Sequence, residues 1–290
     1  MSELIWSSWP APAKLNLFLR ITGRRPDGYH DLQTVFQLLD WGDRVDLHCR
    51  DDGQIARIAA DYPVPAEQDI VIRAAVALQE ASSSRFGADI RVYKQIPMGG
   101  GFGGGSSDAA TVLLALNFLW KCGFSLDQLA EIGRKLGADV PVFIYGQNAW
   151  AEGVGDRLSP IQLPKAWFLV IDSGVHVATA ELFKSPQLTR TQKLVKIESY
   201  VSGSLLGNAF ESLVRQANPP VDRVFRQMAR YGQVALTGTG GGCFMRFDSH
   251  ESAAEAQAHL PDGLRSWVVA SASESTLHQA LRLAQRQSIT

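Results

Sequence analysis

The chain reads as an α+β protein in two domains, and three observations carry that reading. Polar and apolar side chains alternate at Lys14 to Arg20, Arg44 to His48 and Asp89 to Ile96, the two-residue period of half-buried strands. A glycine cluster at Gly99 to Gly105 then changes the period, because Val112, Leu113, Leu116 and Leu119 fall on one face of a helix. Two prolines in Ser159 to Pro164, just after the turn at Gly153 to Gly155, mark a boundary beyond which the pattern starts again. The domains are therefore expected to span 1–158 and 159–290, which suits a chain of 290 residues at roughly 100 to 200 residues per domain.

Between the early strands, Ile70 to Ala81 reads as a helix, and Leu126 to Leu136 reads as another, closed by Gly137. The second half offers a strand at Trp167 to Ile171, a helical region at Ala209 to Gln216, and a helix at Val221 to Tyr231. Strands follow at Gln233 to Thr237 and Cys243 to Phe247, then a helix at Glu251 to His259, a strand at Ser266 to Ala270 and a terminal helix.

Composition narrows the function classes. With 46% hydrophobic and 20% charged residues the chain is neither disordered nor fibrous, and its longest apolar runs, such as Ala166 to Ile171, are strand-sized. The N-terminal stretch MSELIWSSWPAPAK carries an early acid and no continuous apolar segment, so a cytoplasmic protein without a secretory signal is expected. A formal charge of −1 gives no global field to gather nucleic acid or an anionic membrane, and any phosphate recognition must be local. Cys49, Cys122 and Cys243 are odd in number and far apart, and the histidines lack HxH or HExxH spacing. A zinc centre is thus not expected, whereas oxygen-ligated magnesium leaves little sequence trace. Oligomeric state is not legible here.

The segment PMGGGFGGGSSDAATVLLAL runs from a strand through a glycine-rich loop into a helix. Glycines let backbone N–H groups approach phosphate oxygens, and the helix N-terminus adds a positive dipole end. Pro97, Met98, Gly99, Gly100, Gly101, Phe102, Gly103, Gly104, Gly105, Ser106 and Ser107 are therefore candidate nucleotide-binding residues. The G-x-G-x-x-G match at Gly99, Gly101 and Gly104 follows from glycine content, and a second helix, rather than a parallel strand, comes next. No Gly-Lys-Ser/Thr closes the cluster, so it is not a Walker loop. Ser106, Ser107 and Asp108 stand at the helix start, where they either cap it or touch phosphate or magnesium.

In PAKLNLFL the strand period puts Lys14, Asn16 and Phe18 on one face, either the solvent side of an edge strand or a paired lysine and amide in a site. Tyr29 and His30 follow a turn in GRRPDGYHDLQT, as ordinary packing residues or as a platform for a nucleobase. Asp139 precedes a proline in GADVP, where it caps the next turn or places a carboxylate near Lys14, able to remove or steer the proton of an attacking hydroxyl.

Taken together, PAKLNLFL, GGGFGGGSSDAA, GADVPVF with AEGVGD behind it, and LTGTGGGCF resemble the GHMP small-molecule kinases over nearly the whole chain. The resemblance implies a ribosomal-S5-like N-terminal domain that binds ATP and catalyses, a ferredoxin-like C-terminal domain that binds substrate, and ATP with Mg2+ as cofactors. GRRPDGYHDLQTVFQLLD points within the family to an acceptor that is a diphosphocytidyl methylerythritol, phosphorylated on its 2-hydroxyl. It further implies that Lys14 and Asp139 are catalytic, that Pro97 to Ser107 wraps the ATP phosphates, and that Lys94 contacts the nucleotide. Asn16, Tyr29 and His30 would hold the diphosphocytidyl part, with Phe183 as a second stacking ring or as helix packing. Gly238 to Gly242, with Gly240 at its centre, would shape the wall near the reacting hydroxyl beside Asp139. Two residues depart from the family pattern: Asp69 stands where an Asn touching the adenine side is usual, and Phe102 replaces Leu. The stretch from Leu188 to Leu206 gives no reading.

Overall fold

In the computed structural model, which describes residues 5–60, 62–197, 200 and 204–287, the early alternation becomes a long antiparallel hairpin of β1 (Ser7–Arg24) and β2 (His30–Arg50). Its turn closes where Gly28 takes φ +88° and the Asp27 carboxylate accepts the Tyr29 N–H. The first four residues of the N-terminal stretch read above lie outside the described residues, as do 198–199 and 201–203.

β2 is the organising strand. The sheet runs β3 (Ile55–Ala60), β4 (Gly87–Tyr93), β2, β10 (Arg265–Ala272), β7 (Trp167–Asp172), β9 (Gly242–Phe247), β8 (Val234–Leu236). β1 and β5 (Ala149–Glu152) also pair with β2, and β6 (Arg157–Pro160) pairs with β5. Only the β3–β4 pair is parallel among the described residues. β10 joins β2 through Ser271↔Leu39 and Ala272↔Leu38, and joins β7 along its remaining length.

Helices α1 (Ile70–Ser82), α2 (Gly104–Leu119), α3 (Leu126–Leu136) and α4 (Val140–Tyr145) enclose a first core with Leu47, Ile90, Leu113, Leu116 and Leu129. α2 is buried on every side from Ser107 to Leu116, where the sequence suggested a single apolar face, because the sheet and the other helices all pack on it. α3 opens with a capping box between Ser125 and Gln128. Gly137 does close it, but with φ −178°, an extended conformation that any residue adopts.

α5 (Thr179–Lys184), α6 (Glu211–Ala217), α7 (Pro219–Met228) and α8 (His250–Gln257) pack with β7, β8 and β9 around a second core that includes Leu169, Ile171, Val224 and Met245. The far end of β1 contributes Leu19 and Ile21 to this second core. α9 (Thr276–Gln287) returns to bury Leu277 and Leu281 in the first. β1 thus crosses both cores, and between them Leu15, Leu17 and Phe18 pack with Phe168 and Phe244. That placement buries both of its faces although among the described strands β1 pairs with β2 alone, so Lys14 and Asn16 are not on a solvent face.

Candidate active site

A break in the hairpin register aims the first site residue. β1 and β2 lose register between Pro12 and Lys14, and the Lys14 N–H leaves the ladder to donate to the Phe102 carbonyl at 3.0 Å. The Lys14 ammonium, whose residue is 2% exposed, donates to Asn16 Oδ1 at 2.6 Å and to the Gly101 carbonyl at 3.1 Å. It lies 3.1 Å from Asp139 Oδ2. Three protons therefore meet three acceptors, which is why a buried lysine is tolerated here. Asn16 Nδ2 donates to Thr34 Oγ1 at 2.9 Å, fixing which end of the amide faces Lys14.

Asp139 precedes α4, yet its side chain makes no cap hydrogen bond. The carboxylate is turned toward Lys14 and stays about one-third exposed (34%), open to a reactant. Of the two roles open to it in the sequence, the geometry favours the site.

The two glycine clusters exist for each other. Gly99, Gly101 and Gly103 have φ of +72°, +83° and +79°, conformations that cost other residues about 1–2 kcal/mol. A Cβ on Gly101 would meet the Thr237 carbonyl at 2.2 Å, and one on Gly240 the Gly99 carbonyl at 2.3 Å. The Gly242 N–H donates to the Gly100 carbonyl at 3.0 Å. Thr237, fully buried, accepts the Asn16 N–H at 3.0 Å on Oγ1, so the second cluster, the loop and β1 are locked into one unit. Phe102 is buried with Phe244 in the layer between the cores.

The loop is a partition between two cavities, both lined by Gly99, Gly101, Gly103, Gly104 and Gly105. One, of about 490 Å³, adds Lys14, Asn16, Ser106, Asp139, Thr179, Phe183 and Thr239. The other, of about 320 Å³, adds Tyr62, Asp69, Lys94, Pro97, Met98 and Asp108. Helix α2 begins at this partition with Gly103 in the cap position, so its unpaired N–H groups face the junction.

On the smaller side, Lys94 pairs with Asp43 and, at 2.8 Å, with Asp108, and Asp43 Oδ1 also accepts the N–H groups of Gln95 and Ile96. Burial pushes the Asp108 carboxyl up to about 7, against the pull of Lys94. Its Oδ1 and the Ser107 hydroxyl have no hydrogen-bond partner among the described residues. Asp69 caps α1 through the Val71 N–H, pairs with Arg57 at 2.6 Å and accepts the Tyr62 hydroxyl.

On the larger side, Phe183 stacks on His30, with ring centroids 5.0 Å apart at 28°, and stands edge-on to Phe210. Phe183 thus packs on Phe210 while also lining the cavity. His30, buried and stacked on Phe183, and Tyr29, which is 67% exposed, both stand next to the cavity's Phe183 wall without being part of its lining. Burial, then the Arg190 and Arg24 charges, lower the His30 pKa. Gly238 and Thr239 reach the cavity, whereas Gly240 packs against the loop behind it. Gly100 and Ser107 line neither cavity.

Sequence reasoning missed Thr34, Asp43, Thr237 and Arg190. Thr237 adjoins the second glycine cluster and could have been found from it. Arg190 sits in the unread stretch, where no period or motif marks it.

A glycine loop at a helix N-terminus, between two cavities and beside a buried lysine and a half-open carboxylate, is the equipment of a small-molecule kinase. Two family models match: the GHMP kinases N terminal domain over residues 69–147 and the GHMP kinases C terminal domain over residues 186–265. The chain belongs to the GHMP kinase family. It is 59% identical over 277 residues to a protein of Xanthomonas euvesicatoria pv. vesicatoria (strain 85-10) named 4-diphosphocytidyl-2-C-methyl-D-erythritol kinase, covering 95% of this chain and 94% of that one. It is 52% identical to the protein of the same name from Xylella fastidiosa (strain 9a5c), covering 96% and 93%. A crystal structure of a 4-(cytidine 5'-diphospho)-2C-methyl-D-erythritol kinase superposes with a TM-score of 0.77 at 31% identity, covering 91% of this chain and 99% of that one. The fold is also that of L. major mevalonate kinase, with a TM-score of 0.66 at 15% identity over 93% of this chain and 97% of that one. No helix among the described residues is long and apolar enough to cross a membrane.

Proposed function

We propose that this chain transfers the γ-phosphoryl group of ATP to the 2-hydroxyl of 4-diphosphocytidyl-2-C-methyl-D-erythritol, in non-mevalonate isoprenoid precursor synthesis. The observation that carries the reading is the glycine loop standing between two cavities, with Lys14 and Asp139 on the rim of the larger. ATP occupies the smaller cavity with its base near Lys94, Tyr62 and Met98, and its phosphates lie on the loop amides and the N-terminus of α2. The acceptor occupies the larger cavity, its alcohol at Asp139 and its cytidyl end toward Phe183, His30 and Tyr29.

Asp139 orients the hydroxyl and takes its proton, while Lys14 and the loop amides stabilise the charge on the transferred group. In a loose phosphoryl-transfer transition state, positioning and electrostatics of this kind outweigh proton removal. Lys14 reaches a phosphate oxygen by giving up one of its three acceptors, and the Gly101 carbonyl, the longer of its two hydrogen bonds, is the natural one to yield.

Magnesium fits the oxygen donors present. The Ser106 hydroxyl faces the Gly137 to Asp139 turn, 3.7 Å from where a Cβ on Gly137 would lie, and lines the same cavity as the Asp139 carboxylate. Among the described residues no three His, Cys, Asp or Glu side chains cluster as ligands, so Ser106 and Asp139 are the residues that would hold such an ion, alongside ATP. Bound there, magnesium would neutralise phosphate charge. The division of labour falls at residue 158, with 1–158 binding ATP and 159–290 contributing the acceptor wall, while α9 supports the first core. Phosphorus NMR of the product tests the assignment: one new monoester on the acceptor's tertiary carbon is expected, and a phosphate placed on a primary hydroxyl contradicts it.

A further inference from the structure

The stretch after α5 carries no strand or helix pattern, and near its start one side chain gathers several partners. Arg190 Nη2 donates to the carbonyls of Phe183 at 2.9 Å and Ser185 at 2.7 Å, and Nη1 to that of Leu188 at 3.2 Å. Its remaining polar group, Nε–H, donates to His30 Nε2 at 3.2 Å. One guanidinium thus fixes both the backbone of Phe183 and the ring that Phe183 stacks on.

The chemistry of that contact is one-directional. Arginine has donors and no acceptors, so the His30 nitrogen it touches must be an unprotonated acceptor. A neutral imidazole carries one proton, which then sits on Nδ1, a nitrogen with no protein partner among the described residues. The charged groups facing the ring are Arg190 and Arg24, the latter opposite His30 in the hairpin register. Both are cations, and both disfavour a second proton on the imidazole. His30 is therefore a fixed donor on one edge.

We infer that Arg190 is a specificity-determining positioning residue: by holding His30 as the Nδ1–H tautomer it makes the acceptor site select cytosine over uracil. The inference rests on the diphosphocytidyl acceptor proposed above. Cytosine presents an unprotonated ring N3, which accepts from Nδ1–H, whereas uracil presents N3–H, which meets donor with donor. Without Arg190 the imidazole is free to exchange tautomers and to accept from uracil, so discrimination relaxes. Mismatched polar groups in a closed site are what make such discrimination large.

The test joins nitrogen-15 NMR of His30 with steady-state kinetics on acceptors carrying cytidine or uridine diphosphate. In the wild-type protein His30 should show a protonated Nδ1 and an unprotonated Nε2; an Nε2–H tautomer overturns the inference without any variant. In Arg190→Met the Nε2–H form should appear and the His30 pKa should rise. The cytidyl-to-uridyl preference in kcat/KM should then fall by about tenfold or more, through KM rather than kcat. In Arg190→Met the cytidyl preference should recover at pH below the His30 pKa, because the imidazolium carries a proton on Nδ1 whichever neutral tautomer it came from. Arg190→Lys, which keeps a donor for Nε2, should retain most of the preference. If the wild type favours cytidyl and a folded Arg190→Met is equally selective, the inference fails alone. A wild type indifferent to the diphosphocytidyl group overturns the proposed acceptor and the inference with it.

Discussion

The two ends of the larger cavity are built on opposite plans. At the reacting end Lys14 is buried with every proton engaged, and the backbone beside it is clamped between two glycine clusters at contact distance. At the outer end Tyr29 is exposed, and one long side chain reaching from an irregular segment bonds both the His30 ring and the Phe183 backbone. The difference teaches where each kind of selectivity resides. Phosphoryl transfer needs donors that do not reorganise, so its groups are over-constrained. Base recognition needs one edge presented with the right proton, and a single guanidinium suffices for that.

If this contrast holds, substitutions at the reacting end should act on kcat and those at the outer end on KM. The largest effects belong to Asp139→Asn and Lys14→Met, each expected to lower kcat by about 100-fold or more in single-turnover experiments. The double variant should be little worse than the worse single one, because both residues serve one step. Near-normal kcat in both single variants would move the chemistry elsewhere.

Next comes the partition itself. Gly101→Ala introduces a Cβ at φ +83° and 2.2 Å from the Thr237 carbonyl, and should weaken binding of an ATP analogue by about tenfold or more in calorimetric titration. Gly105→Ala, whose nearest neighbour would be Ile70 Cγ2 at 3.8 Å, should bind it within about twofold of wild type. Equal losses in the two would show that packing between the glycine clusters is not what shapes the phosphate site.

Phe183→Ala at the outer end should raise the acceptor KM by about tenfold while kcat stays within about threefold. A fall in kcat with KM unchanged would erase the distinction between the two ends.

The smallest effect is expected at Asp69→Asn. The amide retains the cap on α1 but loses the Arg57 ion pair, so urea denaturation should show a loss of about 1 kcal/mol. The KM for ATP should move less than about threefold, and a larger change would mean that the carboxylate itself contacts the nucleotide.

How much of this was legible in the sequence followed the same divide. The glycine loop could be read because helix starts and φ > 0 turns leave compositional marks, whereas the catalytic reading of Lys14 and Asp139 came from the family resemblance of PAKLNLFL and GADVPVF. What stayed hidden was burial: Lys14 and Asn16 alternate like an edge strand, and only the closure of both cores over β1 shows that their face is enclosed. α2 was read as one-sided for the same reason, since a sequence does not count how many elements will pack on a helix. The reason for the second glycine cluster, contact with the first, is a long-range fact of backbone approach. Arg190 lay beyond reach altogether, because its hydrogen bonds go mostly to carbonyls, which every residue has.

The proposed reaction is tested most directly by ADP release coupled to a panel of acceptors: 4-diphosphocytidyl-2-C-methyl-D-erythritol, free methylerythritol, mevalonate and homoserine. ATP-dependent turnover of the first alone, or with a kcat/KM higher by about 100-fold or more, is the expected result. Equal kcat/KM for the diphosphocytidyl and free alcohols would contradict it, and would leave the His30, Phe183 and Arg190 wall without the role assigned to it.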